Sequence, residues 1–241
     1  MRYLFSLVVC SIIGVGFPLR SETELLRIVT MQVAPAGIKE NGENKGAVYE
    51  ISNEIARRAN LNYVNSIKPY RRMIHDLTSG KSDMSIFTHN TNLGNKVIEV
   101  IPVYHLKTLV VGRKVHDIQS LEELKGKKVG IVRGTSLSDE PEISQMKLVQ
   151  FKDFKQGLKM LLAGRIKALV GVDLALYYWI NKMDISRKDL GQPYIFKTQG
   201  SILHVSHHFD DKAAITRLKA AVISMQQDGT VTKIWSKYLA E

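Results

Sequence analysis

Apolar positions along the first half of this chain switch between strand-like runs and helical spacings. "LLRIVTMQV" is a short apolar run and predicts a strand. "APAGIKENGENKGA" follows as a polar, glycine-containing loop. In "VYEISNEIARRAN", Val48, Ile51 and Ile55 recur at spacings of three and four, which places them on one face of a helix. "LNYVNSI" alternates as a strand does. "YRRMIHDLTSG" sets Tyr70, Ile74 and Leu77 on one helical face, with Gly80 placed to end it, and "SDMSIF" is a brief buried strand. The order β-α-β-α-β implies parallel strands joined by right-handed crossovers.

The pattern then restarts. "LKTLVVGRK" predicts a strand, and "SLEELKGKK" a helix whose Ser120 and Glu123 stand at capping-box spacing. "KVGIVRG" and "KLVQF" read as strands, "FKQGLKMLLAG" as a helix, "IKALVGV" as a strand and "DLALYYWINKM" as a helix. "LTSGKSDMSIF" and "LLAGRIKALVGV" echo each other as helix, glycine stop and apolar strand, the same structural step taken twice. "GSILHVSHHF" is a further strand. The helix "DDKAAITRLKAAVISMQQDG" turns Ile215, Leu218, Val222 and Met225 inward, with Asp210 or Asp211 able to cap it. "TVTKIWSKYL" is a last short helix burying Ile234, Trp235 and Leu239.

Composition adds a compartment. The leader "MRYLFSLVVCSIIGVGFPLRSE" has an early Arg and then an apolar run of about 17 residues, the layout of a cleaved signal peptide over residues 1–21. Cys10 is the single cysteine and lies in that leader, so the mature chain has neither disulfide nor thiol nucleophile. A secreted protein whose mature chain lacks cysteine fits a bacterial periplasm. Net charge is +11, and loss of the leader's Arg2 and Arg20 lowers it by two. The basic residues are scattered and not interleaved with aromatics, which argues against a nucleic-acid surface. His204, His207 and His208 lack a carboxylate or thiolate at ligand spacing, so no metal site is expected. No serine-nucleophile motif, phosphate loop or zinc signature is present.

The ordered segments "KGAVYEISNEIARR", "SGKSD", "SLEELKGKKVGIVRGTS" and "QQDGTVTKIWSKYL" together resemble the periplasmic solute-binding proteins of the polar amino-acid type, family 3, over about residues 25 to 240. The resemblance implies a two-lobed periplasmic-binding-protein-like α/β fold of type II, with mixed sheets, helices on both faces and a hinge of two crossover strands. Lobe one would comprise 22–104 and 201–241, and lobe two 105–200. It implies a small polar solute, an amino acid or a related compound, enclosed between the lobes by a monomer and handed to a membrane ABC permease. A ligand-sensing role beside a membrane receptor, or a cyclohexadienyl-dehydratase-like enzyme on the same lobes, are the alternatives. No cofactor is expected.

The same resemblance assigns a site. Tyr70 stands where the family has an aromatic covering the ligand's side chain, and Thr88, His89 and Asn90 where it hydrogen-bonds the ligand. Family members that bind amino acids carry an Arg for the α-carboxylate and an Asp for the α-ammonium. Here the first position falls on Gly94 or Asn95, with Lys96 beside it, and the second on Val172, with Asp173 next door. Asn cannot replace a guanidinium fork. Asp173 serves only if the chain has left strand geometry, since neighbours on a strand face opposite ways. Val33 replaces a common aromatic, and Arg133 and Ser136 in "VRGTS" offer a partial anion site. Arg72 is a further candidate. Apart from Asp173, none of these positions is a carboxylate, which speaks for binding and against catalysis.

Overall fold

A computed structural model describes residues 25–133, 135, 137 and 140–239. The leader with Cys10, and Ser136, lie outside the described residues. Ten strands and seven helices follow in order: β1 Leu26–Met31, β2 Ile38–Glu40, β3 Glu43–Lys45, α1 Ala47–Arg58, β4 Tyr63–Lys68, α2 Tyr70–Thr78, β5 Met84–Thr88 and β6 Val97–Gly112. The second half continues with β7 Lys128–Val132, α3 Pro141–Ser144, β8 Lys147–Phe151, α4 Phe154–Leu162, β9 Ala168–Val172, α5 Asp173–Lys182, β10 Tyr194–Ser206, α6 Lys212–Gln227 and α7 Thr230–Leu239. Among the described residues no helix is long and apolar enough to cross a membrane.

Eight strands form one sheet in the order β4-β1-β5-β10-β6-β9-β7-β8, and β2 and β3 make a separate hairpin inside the loop after β1. β1 is parallel to β4 and β5, and β7 to β8 and β9, as helical crossovers require. β6 and β10 are antiparallel to each other and run through both halves. β10 pairs with β5 over Ser201–Val205, and β6 with β9 over Thr108–Gly112. Between these regions, at Leu106–Gln199 and His105–Gly200, the two long strands have only each other in the ladder.

Four core clusters cover the two faces of the two halves. α1, α6 and α7 pack on one face of the β1-β4-β5 half through Ile51, Ile55, Leu218, Val222 and Trp235. On its other face Val29, Phe87 and Leu93 meet Met73 and Leu77 of α2. The β7-β8-β9 half has Phe151, Phe154, Leu158 and Leu176 on one face and Ile131, Ile143 and Val170 on the other. Burying each such side chain contributes about 1.5–3 kcal/mol, and the buried members of each cluster come from one half.

Several local expectations shift. Gly80 ends α2 with φ +70, a left-handed conformation open to glycine, and a Cβ there would come 2.9 Å from His208. The buried side chains of α2 are Met73, Asp76 and Leu77, so the face turns away from Tyr70 and Ile74, which are half-buried. The helix expected over "SLEELKGKK" contracts to a 3-10 turn, Glu122–Leu124. There the Glu123 carboxylate accepts from Gln119 N and Ser120 Oγ, both at 3.3 Å. The strand expected at "LKTLVVGRK" is the end of the sixteen-residue β6.

Candidate functional site

The carboxyl ends of parallel strands leave their helices' crossovers free, and a crevice forms there. β1, β5, β7 and β9 all end at one cavity of about 890 Å³ including its mouth. One wall holds Met31, Val33, Tyr70, Phe87, Thr88 and His89. The opposite wall holds Val132, Thr135, Leu137, Glu140, Phe154, Gly171 and Val172. The long strands supply the floor. Tyr104, Leu106 and Thr108 of β6 stand opposite Ser201, Gln199 and Lys197 of β10, three successive cross-strand pairs on one sheet face.

Several polar side chains at this site are held by local partners. Tyr70 is the first residue of α2, and its hydroxyl accepts from Asn90 Nδ2 at 3.2 Å. Asn90 Oδ1 accepts from Asn92 N at 3.0 Å and so caps the turn after β5. Asn90 therefore props Tyr70 and is not itself among the lining residues. The exposed His89 places Nδ1 2.5 Å from Glu99, and Glu99 lies 3.3 Å from Nε2 of His204. His204 is fully buried and stacks on Phe87 with ring centroids 3.8 Å apart, backing the wall. Burial raises the Glu99 carboxyl, but the bonds and charges of His89 and His204 outweigh it and hold it below the usual range. Burial pushes His204 below its ordinary value despite Glu99. Burial also pushes the Tyr104 phenol up, so it keeps its proton and donates or accepts as a neutral group.

Lys197 and Glu140, both lining the cavity, form an ion pair with side chains 30% and 28% exposed. The ammonium also lies 5.7 Å from the centroid of the Phe196 ring. Thr108 Oγ1 is buried with no hydrogen-bond partner among the described residues.

Of the residues proposed from sequence, Tyr70, Thr88 and His89 come together here. Arg72 points elsewhere, with Nε 3.1 Å from the buried Asp76. Asn95 is exposed in the turn before β6, and Arg133 is exposed just after β7. The chain does leave strand geometry at Asp173, the first residue of α5. Its Oδ1, however, accepts from Leu174 N at 2.8 Å, and it is Val172 that lines the cavity. Burial raises the Asp173 carboxyl against several opposing hydrogen bonds. The helix after "VRGTS" begins only at Pro141 and has four residues. Sequence reasoning missed the floor. Its signal was alternation, with Lys197, Gln199 and Ser201 at period two, and Tyr104, Leu106 and Thr108 likewise.

Gly171 makes the wall thin. A Cβ there would lie 2.2 Å from Phe154 Cε1, well inside contact. Gly171→Ala is expected to cost about 1–3 kcal/mol, as overpacking does, and to drive the Phe154 ring into the cavity. Chemical denaturation and titration with a cleft ligand check this; unchanged stability together with unchanged affinity would contradict it.

Comparison with known proteins gives three kinds of likeness. The family model described as bacterial extracellular solute-binding proteins, family 3, matches residues 26–241. "Probable amino-acid-binding protein YxeM" of Bacillus subtilis (strain 168) is 24% identical over 221 residues, covering 88% of this chain and 82% of the relative. "ABC transporter arginine-binding protein 1" of Escherichia coli (strain K12) is 22% identical over 152 residues, covering 61% of each. Among solved structures, an ancestral arginine-binding protein bound to arginine superposes with a TM-score of 0.72 at 23% identity, covering 89% of this chain and 97% of that one.

Proposed function

Because this chain belongs to the bacterial extracellular solute-binding proteins of family 3, we propose that it captures a small polar solute, an amino acid or a related compound, between its two lobes and delivers it to an ABC importer. The carrying observation is the cavity whose walls come from the ends of β1 and β5 on one side and of β7 and β9 on the other, over a floor of two shared strands. A guest there would touch both halves at once, and closing around it excludes water, which strengthens every polar contact inside. The names of two relatives, one amino-acid-binding and one an arginine-binding component of an ABC transporter, support the solute class and the delivery step.

On this reading the lobes divide at 104/105 and 201, near the pair Tyr104–Ser201, where the long strands pass from one set of partners to the other. Tyr70, Thr88 and His89 are then solute contacts from lobe one. Release into the periplasm follows the signal-like leader and the extracellular character of the family. The role is binding without turnover.

A thermal-shift screen of the purified protein over amino acids, organic acids, small peptides and polyamines tests the reading. A ligand at a hundredfold excess over its Kd stabilises by about 2.7 kcal/mol. At least one amino acid or related compound is expected to give such a shift. Tyr70→Ala is expected to weaken that ligand about tenfold, a loss of about 1.4 kcal/mol, while leaving the melting temperature of the unliganded protein within a degree or so. Chemical conversion of the hit would replace capture by catalysis, and a screen without any hit would remove the reading.

A further inference from the structure

The solute class can be narrowed from the floor of the cavity; this step rests on the capture reading above. Apart from His89, the charged lining residues among those described are Lys197 and Glu140, and they are paired with each other. One contact uses little of what they offer. An ammonium has three donors and a carboxylate about four acceptor positions. The two side chains keep 30% and 28% exposure, and water serves the remainder there. Closure removes that water, and each charge then needs its other partners replaced. Thr108 Oγ1, across the ladder from Lys197, is buried and has no partner among the described residues.

A guest bearing an anion and a cation side by side meets all three needs. Its anion completes Lys197 and accepts from Thr108, and its cation completes Glu140. A guest with one charge leaves the opposite member of the pair stripped of water and under-bonded. The rest of the lining is mostly apolar or aromatic, with Phe87, Tyr104 and Phe154 suited to an apolar body, and Thr88, Thr135, Gln199 and Ser201 add neutral polar groups. The positions where the family's usual carboxylate and ammonium partners would fall do not compete. Gly94 and Asn95 are exposed, Val172 is apolar, and Asp173 beside it is bonded to its own helix.

We propose that Lys197, Glu140 and Thr108 form the polar anchor of this cavity, and that its solute is a small zwitterion with an apolar body, its carboxylate on Lys197 Nζ and Thr108 Oγ1 and its ammonium on Glu140. The polar anchor has moved from the loops of the two lobes to the shared strands and the segment before α3.

Titration calorimetry of the purified protein tests this with two ligand sets: L-phenylalanine, L-phenylalaninamide and 3-phenylpropanoic acid, and L-leucine, L-leucinamide and 4-methylpentanoic acid. The protein is expected to bind at least one of the two amino acids about tenfold or more tightly than its amide or its deaminated acid, the effect of one hydrogen bond to a charge. Lys197→Met is expected to abolish the preference for acid over amide while keeping the preference for amine. Glu140→Gln is expected to do the reverse. Thr108→Val is expected to weaken the amino acid about fivefold and the amide less. Melting of each unliganded variant confirms that it is folded. Lys197→Met retaining the full acid preference, or the amide binding as tightly as the acid, would overturn the anchor. Failure of all six compounds, with another solute binding in a Tyr70-dependent way, overturns the anchor but leaves capture standing. Absence of any cleft ligand overturns both.

Discussion

Phe151→Ala is expected to destabilise the protein by about 3–5 kcal/mol, toward the upper end of that range. Phe151 is wholly buried at the end of β8, and its ring meets Phe154 edge to face with centroids 5.9 Å apart. What makes the site unforgiving is its other neighbours. A Cβ added at Gly130 would lie 2.9 Å from the ring, and one at Gly157 2.7 Å from it. The ring thus lies in a slot made by two residues with no side chain, and neither can move in to fill a hole. The cost of truncation rises with the cavity that persists, so little relief is available. Function should follow. Phe154 lines the candidate cavity, whereas Phe151 does not; without its support the Phe154 ring can retreat, and affinity for a cleft ligand should fall although no lining residue has changed. Urea denaturation monitored by tryptophan fluorescence, with titration of the folded variant, measures both. A loss below about 1 kcal/mol would mean that the slot collapses freely, contrary to this account.

Much of the fold was legible because local period and core face coincide. Val48, Ile51 and Ile55 are all buried on α1 as their spacing implies, and Leu218, Val222 and Met225 are buried on α6. Asp211, one of two candidate caps, accepts from Ala214 N at 2.8 Å. Legibility failed where a segment serves two environments. β6 begins beside the core of one half and ends in the core of the other, so its burial pattern changes along its length, and only its apolar end reads as a strand. α2 failed differently: its buried face includes Asp76, held by Lys68 and Arg72, and a buried acid breaks an apolar count even when its partners are near in sequence.

The candidate site was legible where it repeats a loop pattern and obscure where it depends on facing. Tyr70, Thr88 and His89 lie at the ends of predicted elements, and the cavity gathers them. Arg72, Asn95, Arg133 and Asp173 are as polar and as near to such ends, but their side chains have other surroundings, and sequence carries no sign of that. The floor residues alternate visibly in "KTQGS", yet alternation cannot say which face looks into a crevice until the partner strand and its register are known. Glu140 and Lys197 are 57 residues apart, and no spacing rule joins them.

The buried acid of α2 gives the other large effect. Asp76 is 1% exposed, with Oδ2 accepting from Lys68 Nζ at 2.6 Å and Oδ1 3.1 Å from Arg72 Nε in an ion pair without hydrogen-bond geometry. Burial raises its carboxyl, and the hydrogen bond and charge of Lys68, with the charge of Arg72, more than reverse that, so the folded group titrates below its ordinary 3.8. Removing the cation should therefore hurt more than removing the acid, because what remains buried is the charge. Lys68→Met is expected to cost about 3 kcal/mol at neutral pH, the low end for a broken buried pair, since Arg72 remains. Lys68→Met with Asp76→Leu should recover part of that loss. The pH dependence has a definite sign. With the folded carboxyl depressed, the unfolded chain binds the proton first as pH falls, so the contribution is complete above the unfolded value and disappears as pH drops through the folded one. In Lys68→Met burial is no longer outweighed to the same degree, so the gap between the two proteins should be widest at neutral pH and close below about pH 4. Denaturation midpoints across that range decide the matter. A gap that stays constant with pH would mean that Lys68 acts by packing alone. A closing gap, joined to weaker ligand binding in Lys68→Met, would show that this charge pair holds the start of α2, and with it Tyr70, against the cavity.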